Sequence, residues 1–93
     1  MTSTKPTSAT TANVASSGSS VTLFAAESTV NARTIFNDST AVLYVKFGTT
    51  ASASSYTVQM AAGAYYEFPQ PVYAGRVDGI WASANGNARL TSW

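Results

Sequence analysis

Histidine and cysteine are both absent from this 93-residue chain. Without thiols there are no disulfides to staple a small domain. Without thiolate or imidazole, and with only four carboxylate side chains, a structural zinc site is close to impossible, and neither a metal nor another cofactor is expected. The same two absences remove the Ser-His-Asp and Cys-His forms of nucleophilic catalysis. Charge is scarce as well. Asp plus Glu number 4, Lys plus Arg 5, and charged residues make up 10% of the chain, against about 25% in an ordinary soluble domain. The cations Lys5, Arg33, Lys46, Arg76 and Arg89 are scattered. The clustered basic footprint of a phosphate-backbone binder is therefore missing, and nucleic acid is not an expected partner. No apolar run approaches the ~18 residues of a membrane span, and the first residues lack the apolar core of a secretory signal. No membrane association is expected.

The chemistry that remains is thin. Glu27, Asp38, Glu67 and Asp78 are the only carboxylates from which a glycosidase-type pair could be drawn. Asp38 lies in the turn-like Asn37-Asp38-Ser39, Asp78 is placed to bridge Arg76 or Arg89, and Glu67 falls on a polar strand face. A Ser-Lys pair through Lys46 or Lys5 is formally open. Asn37, Asp38 and Ser39 supply oxygen ligands but not the regular acidic spacing of a calcium loop. Each of these is better read as structural, so no catalytic residues are assigned and no enzymatic activity is expected.

What is present is β-forming sequence. Ser and Thr fill over half of the first twenty residues. Residues 1–9 bear too little apolar surface to order themselves and read as a flexible N-terminal arm. Residues 10–93 read as one domain. Strands are expected from Thr10, then over Ser20–Ala25, Ala32–Asn37, Ala41–Phe47, Ser55–Met60, Ala64–Phe68, Gly75–Ala82 and Asn87–Trp93. The signals are short β-branched and aromatic runs separated by Gly, Pro, Asn and Ser. Leu43, Val45 and Phe47 share one face of the strongest run. Gly79 suggests a bulge or a close backbone approach. Asn85-Gly86 is the strongest hairpin signal. About 7–8 short strands at this spacing make an all-β antiparallel sandwich or flattened barrel. The expected core is Leu23, Ile35, Leu43, Val45, Tyr56, Val58, Met60, Phe68, Val77, Ile80 and Leu90.

A domain this small has a limited core, and a homo-oligomer is the remaining source of support. Aromatics gather late in the chain: Tyr65, Tyr66, Tyr73, Trp81 and Trp93. Tyr66 and Trp81 are expected inside. Tyr65, Tyr73 and Trp93 are the candidate interface residues, since large amphipathic rings anchor contacts. Trp93 is expected to pack on its own domain or on a neighbouring subunit. The same rings would suit a carbohydrate platform of Tyr65, Tyr73 and Trp81 or Trp93, an alternative reading with a surface glycan as partner.

Two stretches carry a family resemblance. One runs from Arg33 through Ile35-Phe36-Asn37-Asp38-Ser39 and Leu43-Tyr44-Val45-Lys46-Phe47 to Gly48. The other runs from Gly63 through Tyr65-Tyr66-Glu67 and Tyr73-Ala74-Gly75 to Gly79-Ile80-Trp81, continuing to Ala88-Arg89-Leu90. Over roughly residues 20–93 the chain resembles the small β-sandwich virion proteins of tailed bacteriophages, of the capsid-decoration and head-fibre type. The resemblance implies a non-enzymatic structural subunit, made in the host cytoplasm and located in the virion. It implies self-association and contact with other virion proteins such as the major capsid protein. It brings no catalytic residues.

Overall fold

The computed structural model describes residues 5–93. It contains β1 (Thr10–Ala15), β2 (Val21–Phe24), β3 (Arg33–Asp38), β4 (Leu43–Phe47), β5 (Val58–Met60), β6 (Tyr65–Glu67), β7 (Val77–Trp81) and β8 (Asn87–Ser92). Every expected strand is present, most of them shortened at one or both ends, and β3 runs one residue further, to Asp38. Two four-stranded sheets face each other, with orders β1-β8-β3-β6 and β2-β7-β4-β5; they are called sheets A and B below. All neighbours run antiparallel. The sheets form a sandwich that does not close into a barrel.

The connectivity has a simple logic. β4 pairs with β5, β3 with β6, β2 with β7 and β1 with β8. The chain is one long hairpin with its tip in the 48–57 loop, and successive pairs alternate between the sheets. This eight-stranded arrangement is the jelly roll. It corrects one expectation. Asn85-Gly86 does not close a hairpin, because β7 lies in sheet B and β8 in sheet A. The dipeptide instead turns the chain from one sheet to the other. Gly86 takes φ +72°, and a Cβ there would sit 2.2 Å from the Asp38 carbonyl oxygen. The local requirement for positive φ is the same in both kinds of turn, so sequence cannot separate them.

The core lies between the sheets and includes Leu23, Ile35, Leu43, Val45, Met60, Phe68, Val77, Trp81 and Leu90. Two expected core residues, Tyr56 and Ile80, fall elsewhere, and a third, Val58, packs only at the margin of the core. Tyr56 is 42% exposed. The ladder of β5 begins only at Val58, and the 48–57 loop folds over the outer face of sheet B. There the Tyr56 ring meets Tyr44 at 5.0 Å. Ile80 is half-buried on that same outer face, opposite Tyr44. Strand alternation that buries Val77 and Trp81 must turn Ile80 outward. Val58 faces inward but is only half-buried on the short edge strand β5. Gly79 does mark a close approach. A Cβ would meet Leu23 Cδ1 at 2.7 Å and Leu43 Cδ1 at 3.1 Å. The register shift lies opposite, on β2 between Thr22 and Phe24.

Two buried polar side chains brace the ends of the sandwich. Asn37 donates from Nδ2 to the carbonyls of Ala41, Met60 and Ala61. Its Oδ1 accepts from Trp81 Nε1 and Ser39 Oγ. Arg33 is 1% exposed. It donates from Nη1 to the carbonyls of Tyr73 (2.8 Å) and Gly75 (2.7 Å), and from Nη2 to that of Ala25 (2.7 Å). Residues 5–9 of the expected arm carry no regular structure and are exposed; residues 1–4 of it lie outside the described residues.

Candidate interaction face

The outer face of sheet A is set by the alternation that buries Ile35, Asn37, Ala88 and Leu90. That phase turns Phe36, Asp38, Arg89, Tyr65 and Glu67 to the outside. Phe36 and Tyr65 are direct cross-strand partners. They are 38% and 63% exposed. Such a pair is worth only a fraction of a kcal/mol to the sheet, roughly 0.2–1. Both rings remain open to solvent, side by side on this face. Beside them Arg89 is the β8 partner of Phe36, and Asn13 of β1 lies opposite Arg89. The four side chains form a row straight across the sheet. Arg89 Nε donates to Asp38 Oδ2 at 2.9 Å, so the ion pair on this face is internally matched and exposed, contributing little to stability.

The expected interface residues do not come together. Tyr65 is on this face. Tyr73 is half-buried and stacks on Phe47 with rings 4.8 Å apart and 11° from parallel, in a column that continues to Phe68. Trp93 is half-buried and borders a shallow groove together with Pro6, Thr7, Ser8 and Ala9. Its backbone prolongs the ladder, with N–H donating to the Ala32 carbonyl and its own carbonyl accepting from Asn31 and Ala32. Trp81 is 2% exposed in the core, so a sugar platform cannot include it. Phe36 was missed because only its partner across the ladder makes it part of a patch. The alternation that buries Ile35 was the available signal.

The charged groups are dispersed. Asp38 and Asp78 point away from opposite sheets, each bonded to an arginine; Arg76 Nε donates to Asp78 Oδ1 at 2.9 Å. Asp78 is buried because the 48–57 loop covers it. Ser20 Oγ donates to its Oδ2 and accepts from Ala51 N–H, tying loop to sheet. Lys46 Nζ does lie 2.7 Å from Ser55 Oγ, realising the Ser-Lys contact left open by sequence. Lys46 stands opposite Asp78 on the ladder, and neither Lys46 nor Ser55 lines the cleft described next. Among the described residues no group of three or more Asp or Glu is placed to hold a metal.

A cleft of about 350 Å³ opens between the sheets where β1 and β2 form one side of the sandwich. Thr10, Ala12, Leu23, Phe24, Glu27 and Arg33 are among its walls. Burial lowers the Arg33 pKa from its ordinary value, opposed by the nearby Glu27 and Tyr73. An arginine starts high enough to stay charged regardless. Its guanidinium lies 4.8 Å from the Phe24 ring centroid, and three carbonyls already engage its terminal nitrogens. The arginine is thus committed to holding the 25–32 and 69–76 loops together.

No family model, curated protein or solved structure matches this chain.

Proposed function

We propose that the chain is a non-enzymatic structural subunit of a phage-type virion. In this reading it is a capsid-associated decoration or head-fibre protein that docks on neighbouring virion proteins, the major capsid protein among them. The observation that carries this is the exposed Phe36–Tyr65 pair on the outer face of sheet A, beside an ion pair already matched within the chain. A contact surface of this kind buries rings without stranding charge. The jelly-roll topology is consistent with it. That fold serves viral capsid and lectin domains alike, and as an analogy of fold it does not choose between them.

Co-sedimentation with purified particles of the virus carrying the gene tests the reading. The wild-type domain is expected to travel with the particles. The double variant Phe36→Ser/Tyr65→Ser is expected to stay in the supernatant with its circular dichroism unchanged. A wild-type chain left in the supernatant, or a double variant that still binds, overturns the proposal. One observation favours a glycan as the partner instead. Tyr65 and Phe36 sit beside Arg89, Asp38 and Asn13, an apolar platform rimmed by hydrogen-bonding groups. Glycan-array binding lost in the same double variant would select that reading.

A further inference from the structure

The four free edges of the sandwich are unequal. β5 and β6 have three residues each. β6 also carries Glu67 and runs into Pro69 within two residues. β2 has four residues and an irregular register. Short strands, charge, proline and irregularity are the means by which sheets avoid adding a foreign strand. β1 has none of them. It is six residues long, Thr10-Thr-Ala-Asn-Val-Ala15, with no charge, proline or glycine. It pairs with β8 along its whole length without a register shift. Among the described residues nothing pairs with its other side.

β1 is also bare above and below. Five of its six residues are exposed and only Val14 is half-buried. Thr10, Ala12 and Val14 belong to the inner face by register; Val14 packs on the margin of the core, whereas Thr10 and Ala12 are exposed and line the open cleft. Alternate residues of β1 aim their backbone N–H and C=O groups away from β8, as antiparallel ladders require.

We infer that β1 is a self-association edge, pairing antiparallel with β1 of a second copy about a two-fold axis perpendicular to sheet A. The inference deepens the assembly reading above and rests on it. Two-fold pairing keeps like faces together. Thr10, Ala12 and Val14 of both copies line the inner side, and Thr11, Asn13 and Ala15 the outer side. Because β1 is uncharged, meeting its own copy sets no like charges against each other. The two sheets become one continuous eight-stranded sheet, and both Phe36–Tyr65 pairs lie on the same side of it.

Sedimentation velocity of the full chain, with two charge variants, tests this. The wild type is expected to form a dimer or an even multiple. Thr11→Lys/Asn13→Lys and Thr11→Glu/Asn13→Glu alter exposed side chains only. Each alone is expected to be monomeric with an unchanged far-ultraviolet spectrum, and an equimolar mixture to recover the dimer mass. In the wild type, amide hydrogen exchange of residues 10–15 is expected to slow as protein concentration rises. Variants that fold and keep the wild-type mass overturn the β1 edge while leaving assembly intact. Exchange at residues 10–15 that ignores concentration overturns it without recourse to any variant. A wild type that is monomeric yet binds particles refutes self-pairing alone; one that is monomeric and ignores particles refutes the assembly reading too.

Discussion

Arg33 illustrates how much a single buried side chain can organise. Three backbone carbonyls from two loops converge on its guanidinium, one of them on Tyr73, 40 positions further along the chain. Carbonyls left without donors inside a protein cost about 1–3 kcal/mol each. Replacing Arg33 with Met, which keeps bulk but no donors, is expected to destabilise the fold by roughly 2–4 kcal/mol in denaturant unfolding, since some carbonyls will find water. Arg33→Lys is expected to recover only part of this. An ammonium has three donors but not the planar fork that spans carbonyls on separate loops. Full recovery by Lys would show that charge, rather than geometry, is what the site uses. Nothing in the sequence distinguishes Arg33 from Arg76 or Arg89. All three are isolated cations, and only packing makes one of them a core residue.

The turns between strands decide which sheet each strand joins. Gly86 and Gly63 both take positive φ, +72° and +76°, where an L-residue costs about 1–2 kcal/mol. Their surroundings differ. A Cβ at Gly63 meets nothing within 4 Å, whereas at Gly86 it collides with Asp38 and Ser39 backbone atoms. The 82–86 turn is further fixed by Asn85, whose Oδ1 accepts from Thr40 N–H and Oγ1. Gly86→Ala is therefore expected to lower the unfolding midpoint clearly more than Gly63→Ala, whose cost is conformational alone. Equal effects would mean that the 39–42 loop yields without penalty. All eight strands were legible from short β-type runs and breakers. The sheet that each joins was not, because alternation and turn residues are local and the pairing partner is elsewhere in the chain.

Among the described residues, regular structure begins at Thr10, where β1 first pairs with β8. Deleting residues 1–9 is expected to leave the sandwich folded, with an unchanged far-ultraviolet spectrum. Assembly is expected to weaken with the deletion. Loss of folding on that deletion would mean that the arm is an integral part of the domain. The nested pairing of β1 with β8, β2 with β7, β3 with β6 and β4 with β5 also makes most contacts non-local. That places the chain among topologies that fold slowly for their size.

The sequence by itself determined the all-β class, the number and approximate place of the strands, and the lack of His- and Cys-based sites. These follow from residue types and their period, which act within a few positions. Tertiary structure alone decided that Asn85-Gly86 crosses between sheets, that Tyr56 and Ile80 face out, and that Arg33 and Asp78 are buried. It also separated Tyr65 from Tyr73 and Trp93 and set Phe36 beside Tyr65. Each of those outcomes depends on which other segment of the chain supplies the neighbour, and that choice leaves no mark in local alternation.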